Sequence, residues 1–279
     1  MPKVQRLGVP PYAYCLPMIG ELRRQPSVSL LVDVAAQNAI KMREHELDGA
    51  FLTPIDYARE SSDYNIIPDV SVSSRVATDT IVLCFKEGLH TVRTLAVHPT
   101  STSEIVLASI LLGERFDVRP KILPVMSGFE EALRSADAVL LVGTEAVEQA
   151  SHHRNKLDLV EEWNDMTDLP YVHGFWCVRE GELTGNDVTA IQQACRRGVE
   201  SIDDMVSAEI EKRKIQFSPQ VLKRYFESFS FTFTEEEQEA VAEFLRYAYY
   251  HGVVPDVADL HFYRVDGEDE ALLPDPSLN

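Results

Sequence analysis

The stretch Thr80-Ile-Val-Leu-Cys-Phe-Lys-Glu-Gly-Leu-His-Thr-Val92 divides the chain, because a strand-like apolar run gives way to a polar link before a fresh α/β pattern starts. A later apolar run, Tyr171–Val178, would return the chain to the first half. Two such crossings are typical of an α/β protein with two lobes and a ligand cleft between them. We therefore predict one lobe from residues 1–86 and 179–279 and a second lobe from residues 87–178.

On both sides of this stretch, short apolar runs alternate with helical patterns, which predicts parallel sheets covered by helices on both faces. The last third of the chain is helical in pattern. Asn186–Lys214 reads as a long helix with a break near Gly198–Ser201. Thr234-Glu-Glu-Glu237 has the capping-box pattern and predicts a helix that runs to about Tyr250. Residues after about Asp266 are acidic and rich in proline, which predicts a loose tail.

Composition and charge argue against two classes of binding partner, nucleic acids and membranes. The chain has 279 residues, enough for two lobes of ordinary size, and carries 45 acidic against 26 basic side chains for a formal net charge of −19. No cluster of Lys and Arg is present to bind nucleic acid, and an acidic surface repels anionic membranes. No apolar run is long enough to span a bilayer. The sequence is compatible with a homodimer.

The cysteine pattern and the N-terminus favour the cytoplasm. Cys15, Cys84, Cys177 and Cys195 are far apart and form no CxxC pair, which fits reduced thiols. The N-terminal residues lack an apolar segment followed by a small-residue cleavage site. We therefore expect a cytoplasmic protein.

The usual catalytic signatures are mostly absent from the sequence, which contains no GxSxG, GxxxxGK[ST], HExxH or GxGxxG. His152 and His153 are adjacent and would point in different directions on a helix, so we expect them to be solvated rather than to bind a metal. His173 is expected to be a hydrogen-bonded structural histidine and Cys15 a buried thiol. We predict neither a metal nor a cofactor.

A turn rich in hydroxyl groups is the first candidate ligand site. His98-Pro-Thr-Ser-Thr-Ser-Glu104 lies between a predicted strand and an apolar helix. The helix N-terminus offers unpaired N–H groups and partial positive charge, and Thr100, Ser101, Thr102 and Ser103 add donors. Such a turn can hold a carboxylate or a phosphate without a lysine. The alternative is an ordinary N-cap by one hydroxyl, but four hydroxyls exceed what capping needs.

Three further segments are predicted to line the same mouth. Gly143 and Thr144 lie in a second strand-to-helix turn of the same lobe, and Thr53 lies in a corresponding turn of the other lobe. Ligands in open α/β sheets gather at the carboxyl ends of strands, where these turns are expected. Tyr12 and Tyr14 follow the first strand and would bring two phenols to this mouth, or alternatively serve only as loop packing.

Longer motifs resemble the menaquinone-biosynthesis family of the futalosine route, in its chorismate dehydratase branch. The resemblance covers most of residues 4–180. Its clearest part is the run from Leu157 to Trp176, which is similar to the family signature DLGxxW…TGLPFVxAxW. The other matching segments are Leu47–Pro54, Asp56–Arg59, Ile67–Asp69, Thr100–Ser103 and Asp137–Gly143.

The resemblance implies a periplasmic-binding-type II fold used as a cytoplasmic enzyme. Such an enzyme would remove water from chorismate to give 3-[(1-carboxyvinyl)oxy]benzoate, without a metal or an organic cofactor. The substrate's own carboxylate is a candidate base, and catalysis would depend on positioning and preorganised dipoles.

The chain departs from the family at positions near the reaction. Tyr14 aligns with a family Asn that is thought to be catalytically important, and a phenol cannot supply the paired donor and acceptor of an amide. Thr80 aligns with an important Ser, and Thr144 stands where the family has an acid. We predict that Tyr14 and Thr80 face the reacting ring as the catalytic residues.

Two other readings stay open. One is a solute-binding-like module that holds a small anion without turning it over, which the change at Tyr14 favours. The other is the sister enzyme of the same route, which cleaves a futalosine derivative. The Leu157–Trp163 segment favours the chorismate dehydratase branch over this sister enzyme.

Overall fold

The computed structural model describes residues 4–98, 102–150, 153–204 and 219–264. Within these ranges the strands form two five-stranded sheets. The strands are β1 (Gln5–Val9), β2 (Val28–Val32), β3 (Gly49–Leu52), β4 (Tyr64–Ser74), β5 (Ile81–Phe85), β6 (Thr94–Val97), β7 (Lys121–Pro124), β8 (Ala138–Val142), β9 (Lys156–Asp158) and β10 (Tyr171–Arg179).

Helices separate most of the strands. They are α1 (Leu16–Leu22), α2 (Ala35–Arg43), α3 (Pro54–Ala58), α4 (Thr102–Phe116), α5 (Phe129–Ser135), α6 (Thr144–Ala150), α7 (Leu159–Thr167), α8 (Gly185–Glu200), α9 (Pro219–Glu227) and α10 (Glu235–Tyr250). In the ranges that the structure describes, none of these helices combines the length and the apolar character that crossing a membrane requires.

Each sheet is parallel on one side and antiparallel on the other. The first has the strand order β2-β1-β3-β10-β4, with β1 parallel to β2 and β3 and β10 antiparallel to β3 and β4. The second has the order β7-β6-β8-β5-β9, with β6 parallel to β7 and β8 and β5 antiparallel to β8 and β9. The prediction of parallel sheets is therefore correct for four strands of each sheet and wrong for one, because only β10 in the first sheet and β5 in the second run in the opposite direction.

Two strands lie in the opposite sheet from the one that the predicted lobe limits imply. The predicted limits put Ile81–Phe85 in the first lobe, but this strand pairs in the second sheet. They put Tyr171–Val178 in the second lobe, but the strand Tyr171–Arg179 pairs in the first sheet. The chain therefore crosses after Ser74 and returns before Tyr171. A short apolar run indicates a buried strand, but it does not indicate which sheet that strand joins.

The sequence pattern does not predict β4, whereas the helices of the last third agree with the prediction where the structure describes them. Pro68 and Asp69, whose φ is +66°, interrupt the β4 pattern, yet β4 is an edge strand, where a proline is tolerated. The capping box at Thr234 and Glu237 is confirmed. Helix α8 ends at Glu200, near the predicted break. The rest of the pattern up to Lys214, from residue 205 on, and the tail after about Asp266 lie outside the described residues.

A continuous apolar core joins the two sheets. It includes Leu52 of β3, Leu83 of β5 and Leu107 of α4. Trp163 of α7 is fully buried, and its ring meets the Phe244 ring of α10 edge-on with centroids 5.6 Å apart. Helices α4, α7 and α10 therefore fix the position of one sheet relative to the other.

Candidate functional site

Buried side chains at the starts of α3 and α4 connect the two halves of the molecule. Helix α3 follows β3 of the first sheet and helix α4 follows β6 of the second. Ser103 Oγ donates a 2.7 Å hydrogen bond to Thr53 Oγ1 and accepts a 3.1 Å bond from the Ile55 backbone N–H. Both hydroxyl-bearing residues are buried. The predicted residues Thr53 and Ser103 thus meet across the junction of the sheets.

Asp56 completes this contact. Its carboxylate accepts hydrogen bonds from Thr53 Oγ1 at 2.7 Å and from Thr102 Oγ1 at 2.9 Å, and Arg59 Nη1 lies 3.9 Å away. Burial raises the pKa of Asp56, whereas the two hydroxyls and Arg59 act in the opposite direction. We call Thr53, Asp56, Thr102 and Ser103 the hydroxyl bridge. Within the bridge, the hydroxyl protons of its three hydroxyl residues are donated to one another or to Asp56.

A second contact between the halves joins Tyr12, after β1, to Gly143, after β8. Gly143 has a φ of +68°, and a Cβ atom there would lie 2.5 Å from Tyr12 Cδ1. The Gly143 backbone N–H donates a 2.7 Å hydrogen bond to the carbonyl of Thr80. Glycine is needed here for its backbone conformation and for the close approach of the tyrosine ring. The structure therefore brings the predicted residues Tyr12, Gly143 and Thr80 together, while Thr144 is exposed at the start of α6.

Asp158, from the family-like Leu157–Trp163 segment, fixes the chain next to Thr80. Its carboxylate accepts from the backbone N–H groups of Thr78 at 3.0 Å and Asp79 at 2.6 Å, and also caps α7 through Val160 at 2.9 Å. The hydroxyl of Thr80 is fully buried and lies 2.6 Å from that of Thr78. The crossing segment before β5 is therefore held by side chains rather than by strand pairing.

Aromatic rings surround Tyr14. Its ring centroid is 5.3 Å from that of Tyr12, 4.9 Å from that of His173 and 5.4 Å from that of Phe229. Tyr171 extends the group, with its centroid 5.1 Å from that of His173. We call these five residues the aromatic cluster. The Tyr14 ring is buried within it, so the position of the family Asn is filled by packed rings.

Two polar atoms of the aromatic cluster lack hydrogen-bond partners among the described residues. These are the hydroxyl of Tyr171 and Nε2 of His173, both buried. The expectation of a hydrogen-bonded His173 is therefore wrong for Nε2. Burial lowers the pKa of His173 to about 3, so the ring is neutral. Leaving such groups unpaired is costly, and a bound ligand is one way to satisfy them.

Glu104 is a buried acid that the sequence analysis did not select. It lies in the first turn of α4 with only 4% of its surface exposed. Burial raises its pKa to about 7, with a smaller contribution from Asp56. Burial raises the pKa of Tyr12, Tyr14 and Tyr171, and the charge of Glu104 acts in the same direction on all three.

The sequence did contain a signal for Glu104. An acid in a first turn is ordinarily explained by the helix dipole and expected to face water. However, Leu107, Ala108 and Leu111 follow Glu104 at spacings of three, four and seven, which places it on the apolar face of α4. An acid on that face indicates a buried carboxyl group.

Some predicted residues cannot be placed. Thr100, Ser101 and His152 lie outside the described residues. In the part of the chain that the structure does describe, no group of three His, Cys, Asp or Glu side chains is arranged to hold a metal ion. Cys15, Cys84, Cys177 and Cys195 are buried free thiols.

Comparison with known families assigns the chain. A family model described as menaquinone biosynthesis matches residues 5–250. The chain belongs to the menaquinone biosynthesis family. This match extends the resemblance beyond residue 180, through the helical third of this family member.

Solved structures agree on the fold of this menaquinone biosynthesis family member. Protein AF1704 from Archaeoglobus fulgidus has a TM-score of 0.70 at 17% identity, over 89% of this chain and 98% of that one. The periplasmic aliphatic sulphonate binding protein SsuA from Escherichia coli has a TM-score of 0.67 at 13% identity, over 93% and 96%. The Candida albicans CA3427 gene product, described as having the generic periplasmic binding protein fold, has a TM-score of 0.61 at 12% identity, over 96% and 99%. The chain has the periplasmic-binding-protein fold.

Proposed function

We propose that this family member is a cytoplasmic chorismate dehydratase-like lyase, or a diverged relative that acts on a similar small carboxylate. The observation that carries the proposal is the contact between Tyr12, which follows β1 of the first sheet, and Gly143, which follows β8 of the second. This contact brings the ends of strands from both sheets together at one site. The hydroxyl bridge joins the halves at a second point. Membership of the menaquinone biosynthesis family supports this reaction class.

The proposed reaction breaks a carbon–hydrogen bond and a carbon–oxygen bond of the chorismate ring. The proton and the hydroxide leave as water, and the ring becomes aromatic. Because aromatisation supplies much of the driving force, the protein's part is to orient the substrate and stabilise developing charge. Helix α4 has 15 residues and presents its N-terminus beside the hydroxyl bridge, where partial positive charge favours an anion. Thr80 stays the proposed catalytic hydroxyl.

Incubation of the purified chain with chorismate tests the proposal. Mass spectrometry should detect a product that is lighter than chorismate by one water. Thr80→Ala should lower kcat/KM by about tenfold or more, the order expected for loss of one oriented polar group. Thr91→Ala is the matched control, because Thr91 is exposed and its hydroxyl bonds locally to the Gly88 carbonyl. Absence of product would refute the lyase, and equal rates for the two variants would remove Thr80 from the site.

A second candidate is a module that binds a small anion without turnover. The aromatic cluster favours it, since packed rings take the place of the amide that the family uses at Tyr14. Calorimetry with chorismate distinguishes the two functions. Tight binding without any product would support the module, and turnover would exclude it.

A further inference from the structure

Glu104 poses an electrostatic problem for an anion-binding site. Glu104 lies in the same helical turn as Thr102 and Ser103, and its side chain is buried. Its charge also acts on the phenols of Tyr12 and Tyr171. If Glu104 were ionised, an arriving carboxylate would meet a second negative charge in a poorly hydrated place. Two unscreened like charges repel by several kcal/mol at such sites.

We propose that a small carboxylate binds here together with one proton, which Glu104 takes up so that its neutral carboxyl group donates a hydrogen bond to the ligand. The inference rests on the proposed function in taking a small carboxylate as the ligand. It deepens that function by naming the protonation state in which the site accepts its ligand.

Comparison with Asp56 shows why Glu104 is the carboxyl group that changes its protonation state. Asp56 accepts hydrogen bonds from Thr53 and Thr102 and has Arg59 nearby, so its negative charge is compensated. Among the residues that the structure describes, no Lys or Arg side chain contributes to the electrostatics of Glu104. A buried carboxyl group without a cation is neutralised by a proton at lower cost than it is held ionised.

Other titratable groups around Glu104 stay in one state at neutral pH. Tyr12 and Tyr14, after β1, and Tyr171 of β10 all have a pKa raised by burial, so they remain neutral donors. The aromatic cluster also holds His173, which is neutral. The unpartnered Tyr171 hydroxyl and His173 Nε2 provide an independent indication of a ligand, because both are buried polar atoms in need of a partner. We infer a ligand that combines a carboxylate with a hydroxyl group, as a small hydroxy acid does.

The sign of the pH effect follows from proton uptake. The pKa of Glu104 is about 7 without ligand, and a bound carboxylate raises it further. Below about pH 7 Glu104 is already protonated, so affinity should not change with pH through this group. Above that pH a proton must be taken up, so the dissociation constant should rise about tenfold per pH unit.

Calorimetry in buffers of different ionisation enthalpy measures this proton directly. The probe is 3-hydroxybenzoate, a non-reacting carboxylate with a hydroxyl group, in phosphate and in Tris. The chain should take up close to one proton at pH 8 and none at pH 6. Glu104→Gln keeps an N–H donor, so it should retain binding, take up no proton and lose the pH dependence. Glu130→Gln, at an exposed acid in the first turn of α5, is the matched control and should behave as the unmodified chain.

The outcomes separate this inference from the proposed function. Proton uptake that survives in Glu104→Gln, or carboxylate binding without uptake at pH 8, overturns the inference. Failure to bind either 3-hydroxybenzoate or chorismate also overturns it. Binding with Glu104-dependent uptake but no chorismate turnover leaves the inference standing and refutes only the lyase. Infrared spectra give a ligand-free readout, since a protonated carboxyl band present at pH 6 should be missing from Glu104→Gln.

Discussion

Ser103 Oγ lies 2.7 Å from Thr53 Oγ1 and donates a hydrogen bond to it, which connects helices that follow different sheets. The same oxygen accepts from the Ile55 N–H, so one buried hydroxyl serves as donor and acceptor at the junction. Removal of this hydroxyl would leave two buried polar groups with fewer partners. The hydroxyl bridge therefore contributes to stability as well as to the shape of the site.

Ser103→Ala should lower the free energy of unfolding by about 1–3 kcal/mol, the cost of leaving buried hydrogen-bonding groups unpaired. Urea denaturation measures the change. Ser109→Ala is the control, because Ser109 lies in the same helix and its hydroxyl bonds within that helix, to the Ile105 carbonyl one turn earlier. It should cost less than about 1 kcal/mol. Equal losses for both variants would show that the bridge adds no stability across the junction.

Gly143→Ala should displace the Tyr12 ring and lower stability by about 1–2 kcal/mol from the positive φ alone, with a steric cost in addition. In a Tyr12→Ala background the steric part should disappear, so the same substitution should cost less there. Gly88→Ala is the control, since a Cβ atom at Gly88 meets nothing within 4 Å. A Gly143→Ala effect that does not depend on Tyr12 would contradict the described contact.

Tyr14→Phe tests whether the phenol acts on the ligand or only fills space. The ring contacts with Tyr12, His173 and Phe229 remain, so the free energy of unfolding should change by less than about 1.5 kcal/mol. Chorismate kcat/KM, or affinity if there is no turnover, should fall about tenfold, as expected for the loss of one hydrogen bond. Unchanged kinetics and affinity would assign Tyr14 to packing alone.

His173→Phe should make the chain less sensitive to acid. The folded-state pKa of His173 is about 3, below its unfolded value of about 6.5, so the unfolded state binds the extra proton between these values. The stabilisation is complete above pH 6.5 and is lost as the pH falls, by about 3 kcal/mol at pH 4. Urea denaturation at pH 7 and pH 4 should show this loss in the unmodified chain and a smaller one in His173→Phe. His90→Phe, at an exposed histidine, should lose as much as the unmodified chain.

Local chemistry made much of the fold predictable. The capping box at Thr234 and Glu237 uses only neighbouring residues, so its pattern is visible in the sequence. Strand β4 is not evident from the sequence, because Pro68 and Asp69 are both disfavoured inside a strand and are tolerated here at the sheet edge. The sheet to which Ile81–Phe85 belongs depends on pairing with distant strands, which the run itself does not encode.

The candidate site was also predictable in part. Turns at the ends of strands were expected at one mouth, and the structure brings Tyr12 to Gly143 and Thr53 to Ser103. Their roles toward a ligand stay predictions. The unpartnered atoms of Tyr171 and His173 could not be predicted, because burial and the lack of a partner are properties of the folded chain.

The apolar core that runs from one sheet to the other limits how far the molecule can open. Trp163, Phe244 and Leu107 would become hydrated if the halves swung widely apart, at about 25 cal/mol for every Å² of apolar surface exposed. We therefore expect ligands to enter by small local displacements at the rim of the site, while the two sheets keep nearly the same position relative to each other.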